Sequence, residues 1–178
     1  MLQDVRANDT DLDALLDINQ FTDEDLARLK KVGEIIVPQL PQLTDRFYDQ
    51  LTNNSATAPF LEGRLEALKQ THFNWLKGLF TGVMDAAYVK TQWEIGRVHA
   101  KMHIAPLFVA SSMSYLRSEM PKLVTDDQAQ QINENRDDIV ASILKLLDIS
   151  QFVIDRSYYD RLMEVTGISK ALLHRLMS

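Results

Sequence analysis

The chain has 178 residues, 46% hydrophobic and 25% charged, which excludes a disordered polymer and fits one domain with a short tail. It has no cysteine, so disulfides, thiolate zinc sites, iron–sulfur clusters, a cysteine nucleophile and thioether attachment of a cofactor are excluded. The net charge is −6 with no local basic patch, so nucleic acid is not an expected partner.

No apolar run reaches bilayer length, so no membrane association is expected. Residues 1–17 lack the basic and apolar regions of a signal peptide, and the expected location is the cytoplasm. Period-two alternation is missing, and the scarce glycines and prolines fall between helical patterns, which predicts an all-α fold. Leu12, Leu15 and Leu16 give a short amphipathic helix over 11–18. Thr22 followed by Asp23, Glu24 and Asp25 is a hydroxyl N-cap with acids in the first turn, not a metal site. That helix runs to about Val37 on Leu26, Leu29, Val32 and Ile36. Pro41 opens the next, through Leu51, bearing Leu43, Phe47 and Tyr48. Residues 52–59 are a polar loop. A helix over 60–82 carries Leu61, Leu65, Leu68, Trp75 and Leu79. Another spans Asp85 to Ile104, with Ile95, Val98, His99 and Met102 on one face and His103 a turn beyond His99. Pro106 starts a helix ending at Met120–Pro121, and a long last one is expected from Asp126 to Met163. Residues 164–178 read as helical again up to Ser178, like a chain cut within an element.

His99 and His103 stand at i, i+4 and could share a metal. A zinc-protease site would need Glu directly after the first His and a third ligand, and the sequence shows neither. The plainer reading is a pair of partly buried, hydrogen-bonded histidines. A single imidazole on an apolar helix can also hold a haem iron, given an apolar slot and an opposing wall. Phe47, Tyr48, Leu68 and Thr71 are candidates for that wall, the last two sharing a face at i, i+3. From these residues alone a cofactor-free helical bundle stays open beside the haem reading.

The segment IGRVHAKMHIAPLFV (95–109) resembles the proximal helix of the globin-coupled sensors. RFYDQL (46–51) resembles their distal-side helix, and LEALKQTHFNWLKGLFTG (65–82) their E-helix segment. The resemblance implies a globin fold with an extra N-terminal helix and no long D helix, packed around non-covalent haem b. It divides the chain into an extension helix (1–20), a globin sensor domain (21–163) and the start of a linker to an absent output domain (164–178). It makes His99 the proximal iron ligand and Tyr48 the hydrogen-bond donor to bound oxygen. Leu68 and Thr71 would flank the distal pocket, while Phe47, Met102, Phe108 and Val109 would touch the porphyrin. The family usually has glycine where this chain has His103, which leaves a rival ligand there. His72, four residues after Leu68, is read as a helix-surface histidine near a propionate, with iron ligation as the alternative. His174 is expected to be exposed.

The implied function is haem-based sensing of oxygen, with carbon monoxide and nitric oxide as further ligands, and a covalent C-terminal output. YDRLMEVTGISKALLHRLMS (159–178) resembles the start of the helical middle segment of the diguanylate-cyclase members, which implies oxygen-regulated cyclic-di-GMP synthesis by the full-length protein, with the present chain itself expected to be no enzyme. The implied assembly is a homodimer through the last two globin helices. The apolar content of 139–154, with Ile139, Val140, Ile143, Leu144, Leu146, Leu147 and Ile149, is too broad for one buried face, which suits such a dimer. The expected signal path runs from the His99 helix through the Ala105 corner and the helix after it to the last helix. The alternative function is an oxygen-binding or nitric-oxide-detoxifying globin without output.

Overall fold

The computed structural model describes residues 2–177, apart from the side chains of His174 and Met177. The expectations for His174 and for the end at Ser178 therefore lie outside the described residues. Where one extension helix was expected, there are two, α1 (Leu2–Asn8) and α2 (Thr10–Ile18). Asp9 separates them because its side chain caps α2, accepting from Leu12 N at 3.1 Å. The same carboxylate is gripped by Arg156 at 2.7 and 2.6 Å, which fastens the extension to the body.

In α3 (Asp23–Ile36) the predicted face is buried: Leu26, Leu29, Val32 and Ile36 all face the core. Asp25 does more than cap. One oxygen accepts from Thr22 N at 2.9 Å, and the other accepts from Ser142 Oγ at 2.7 Å on a distant helix. A 3₁₀ turn over Val37–Gln39 leads into α4 (Leu40–Thr52), and a loop with a 3₁₀ turn at Ala58–Phe60 leads into α5 (Leu65–Gly78). α5 is shorter than the expected 60–82 because Gly63 and Gly82, with φ of 71° and 72°, turn the chain on either side.

α6 (Ala86–Lys101) starts at Asp85, which accepts from Tyr88 N at 2.9 Å. It stops at Lys101 rather than Ile104, and His103 leaves the helix with φ of 57°. Pro106 opens α7 (Pro106–Glu119), where its missing N–H costs nothing. The expected single helix from 126 is broken into α8 (Asp126–Gln131) and α9 (Arg136–Thr166) by Asn133, at φ of 55°. Gly167, at φ of 69°, then separates α9 from α10 (Lys170–Met177).

α9 is the axis of the molecule and packs against α2, α3, α6, α7 and α8. Ile139, Ile143, Leu146, Leu147 and Ile149 are all buried within this one chain, each contributing about 1.5–3 kcal/mol. Helices on several sides of α9 thus cover much of the apolar content of 139–154, while Val140, Leu144 and Phe152 stay half-buried. The exposed apolar side chains lie further along, at Tyr159, Leu162 and Val165. α6 crosses α9 with backbones nearly touching: a Cβ on Gly96 would collide with Ser157 Oγ and the Ile154 carbonyl. Among the described residues there is no strand, and no helix is long and apolar enough to cross a membrane.

Candidate functional site

A cavity of about 570 Å³ lies between α4, α5, α6 and α7. Its size falls within the roughly 300–1,000 Å³ usual for small-molecule sites. Phe47, Tyr48, Leu68, Thr71, His99, Met102, Phe108 and Val109, all singled out from the sequence, lie on its wall. His103 does not. Its positive φ turns it away from the α6 face, and it is exposed. His99 and His103 therefore do not share a face, because the helix that would have stacked them has already ended. Among the described residues no three His, Cys, Asp or Glu side chains gather as a metal cluster.

His99 is held by its own helix. Its Nδ1 lies 2.8 Å from the Ile95 carbonyl oxygen. A carbonyl only accepts, so Nδ1 carries the proton and donates, which leaves the Nε2 lone pair free. Burial lowers the pKa of His99 against the opposing pull of that carbonyl, so the ring is held neutral. A neutral imidazole fixed through one nitrogen with the other free is the form that binds a metal.

α4 and α5 build the facing wall. The rings of Phe47 and Tyr48 meet edge to face at 5.2 Å. Burial pushes the Tyr48 hydroxyl up to about 12 with no hydrogen-bond partner contributing, so it stays protonated. Phe47 also stacks on His72 at 4.6 Å with the rings 16° from parallel. His72 Nδ1 meets Thr44 Oγ1 at 3.2 Å, while His72 Nε2 is buried without a partner. Burial drives the His72 pKa down to about 4, so it too is neutral at physiological pH. The expectation of a helix-surface histidine is thus corrected: the ring is wedged between Thr44, Phe47, Tyr48 and Trp75. Its four-residue spacing from Leu68 was the signal that it shares the cavity face.

Two cations on the wall had no signal in the sequence. Arg64 donates to the Phe60 carbonyl at 2.6 Å and reaches towards Met102 Sδ at 4.0 Å. Lys90 is exposed at the α6 side of the cavity. Both are surface residues in pattern, and only the fold places them on the cavity wall. The far side of α6 is tied to α9. Besides the Gly96 crossing, Trp93 Nε1 donates to Asp160 at 2.8 Å and Tyr158 OH donates to the Ile104 carbonyl at 2.9 Å. The helix bearing His99 thus contacts α9 directly, and α7, reached through the Ala105 corner, packs on α9 as well.

The sequence profile of the Protoglobin family matches residues 8–164. The chain is similar to the "Heme-based aerotactic transducer HemAT" of Halobacterium salinarum, at 24% identity over 155 residues. That match covers 82% of this chain and 32% of the relative, so the chain spans about a third of the relative's length. The structure resembles the globin domain of the Geobacter sulfurreducens globin-coupled sensor with a TM-score of 0.72 at 27% identity, covering 82% of this chain and 96% of that one. The helical arrangement is a globin fold.

Proposed function

The chain belongs to the Protoglobin family, and on that premise we propose that it is a haem-based sensor domain whose ligand is oxygen. Family membership implies haem binding and gas ligands such as oxygen. The residues present fit that group: a largely apolar cavity, a free imidazole lone pair on one side and two cations on its wall. The observation that carries the reading is His99, whose Nδ1 is committed to Ile95 and whose neutral ring stands on the cavity wall.

In this reading His99 Nε2 is the iron ligand, and His103 plays no part. The proposed haem is haem b, and the absence of cysteine excludes thioether attachment. Phe47, Leu68, Thr71, Met102, Phe108 and Val109, all on the cavity wall, would contact the porphyrin or line its pocket, and Arg64 and Lys90 are the cations on that wall that could pair with its carboxylates. When bound, haem would supply an iron able to take up a diatomic gas. Tyr48, on the cavity wall and kept protonated by burial, would donate a hydrogen bond to that gas. The aromatic wall of Phe47 and Tyr48 keeps water away, which strengthens that bond.

Signalling needs movement of His99 to reach another part of the chain. The Gly96 contact with Ser157 and Ile154 supports a direct route from α6 to α9. The proposed organisation is an extension over 1–20, a globin sensor over 21–163 and a linker from 164. The proposed output is a diguanylate cyclase. The break at Gly167 between α9 and α10 supports it, because a chemotaxis-type coiled coil would run on as one helix. The chain is also proposed to pair with a second copy through its last globin helices. The exposed Tyr159, Leu162 and Val165 of α9 support that contact.

The test is reconstitution with hemin. A Soret band at one haem per chain, lost with His99→Ala and kept with His103→Ala, is expected. Retention of the band in His99→Ala refutes the assignment.

A further inference from the structure

A second cavity, of about 270 Å³, lies between the end of α5 and the start of α6. It falls below the roughly 300–1,000 Å³ usual for drug-sized ligands. Trp75 and Thr91 line both this cavity and the main one, so the two voids are neighbours with a shared wall. Trp75 is the larger part of that wall. On the main-cavity side its ring lies 5.6 Å from the ring of His72, between centroids. Its Nε1 donates to Gln92 Oε1 at 2.9 Å, and Gln92, which lines only the second cavity, is 2% exposed. One hydrogen bond from α5 to α6 thus holds the indole that both cavities touch.

The second cavity has little left with which to recognise a polar ligand. Thr81 Oγ1 donates to the Gly78 carbonyl at 3.1 Å, and Thr91 Oγ1 donates to the Ala87 carbonyl at 2.9 Å. The Tyr88 hydroxyl is paired with Ser150 Oγ at 2.8 Å. The carboxylate in the lining, Asp85, is spent on capping α6. Among the described residues no cation lines this cavity, and most of its surface is carbon. Such a lining suits a small uncharged molecule.

We propose that the second cavity is a docking chamber through which the diatomic gas enters the main cavity, with Trp75 as the gate and Gln92 as its latch. The proposal rests on the haem-sensor reading above and deepens it by naming where the gas waits and what it must pass. Protein interiors are packed as densely as organic crystals, so a gas moves only through voids or past side chains that swing. The indole is the side chain that separates these two voids. A single hydrogen bond between neutral groups holds it in place, and such a bond breaks and re-forms thermally.

The experiment uses the whole chain loaded with hemin and reduced, with carbon monoxide as the probe gas in flash photolysis. Gly78 is the place for a plug. It lines the second cavity alone, its φ is not in the left-handed region, and a Cβ there meets nothing within 4 Å. Gly78→Phe should slow carbon monoxide association about threefold or more. Trp75→Phe, which removes the latch bond and shrinks the gate, should speed it. The double variant should be as slow as Gly78→Phe, because a plug ahead of the gate makes the gate irrelevant. Gly78→Leu serves the same end if the Phe variant does not fold. Xenon, a probe of apolar voids, should shift the amide NMR signals of Gly78 and Tyr88 in the carbon monoxide form, and Gly78→Phe should abolish the shifts. Unchanged association in the plugged proteins overturns the proposal, as does a double variant as fast as Trp75→Phe, since the gas then enters elsewhere. Amide signals that ignore xenon mean a water-filled cleft and overturn it too. All three results leave the haem-sensor reading standing, whereas a chain that takes up no haem overturns both.

Discussion

Tyr48→Phe isolates one hydroxyl and leaves its surroundings in place. The ring contacts with Phe47 at 5.2 Å and His72 at 5.7 Å belong to the aromatic ring and survive the change. Burial alone sets the acidity of the hydroxyl, so no protein group gains or loses a partner when it goes. Stability should therefore hardly move. Bound oxygen carries partial negative charge, and a protonated donor facing it makes a charge-assisted hydrogen bond worth about 1.5–3 kcal/mol. At about 1.4 kcal/mol per decade, that is roughly ten- to a hundredfold in the rate of oxygen release. Carbon monoxide carries less charge and gains less, so its release is the internal control. The assay is stopped-flow displacement of oxygen by carbon monoxide, beside a thermal melt of each protein. Oxygen release at the unsubstituted rate would refute the donor role.

Gly96→Ala should cost about 1–3 kcal/mol, because the new Cβ must push α6 off Ser157 and Ile154. Urea unfolding measures this, and undiminished stability would show that the helices do not touch there. The pH dependence of the haem-free chain should carry the mark of His72. Its pKa is about 4 in the fold against 6.5 for an ordinary histidine, so the unfolded chain binds the extra proton first. Stability is therefore complete above about pH 6.5 and falls as pH drops towards about 4, by about 3 kcal/mol at most. His72→Leu should flatten that slope, and an identical slope in both proteins would contradict the burial argument. Val165→Glu should dissociate a dimer without unfolding the chain, since Val165 is exposed. Equilibrium sedimentation reads the outcome, and an unchanged mass argues against that face.

Local chemistry made part of this molecule readable. The Thr22 cap, Pro106 at the start of α7 and the His99 face follow from hydrogen-bonding and ring constraints that act within a turn. The helix end at Lys101 was hidden because His103 occupies a left-handed position without the glycine that would have marked it. Asn133 is a residue that tolerates that conformation, so the break between α8 and α9 had a signal that the apolar spacing outweighed. The breadth of apolar residues in α9 could not distinguish neighbours in the same chain from a second copy, because periodicity counts faces and not their occupants. The orphaned Nε2 of His72 depends on Thr44, a residue of another helix, so only the fold reveals it.

The most direct measurement is the ligation of hemin by the His99→Gly protein, with and without added imidazole. The account predicts weak or absent haem retention, restored when free imidazole fills the position of the lost ring. Full retention of a histidine-ligated spectrum in His99→Gly without imidazole would contradict it.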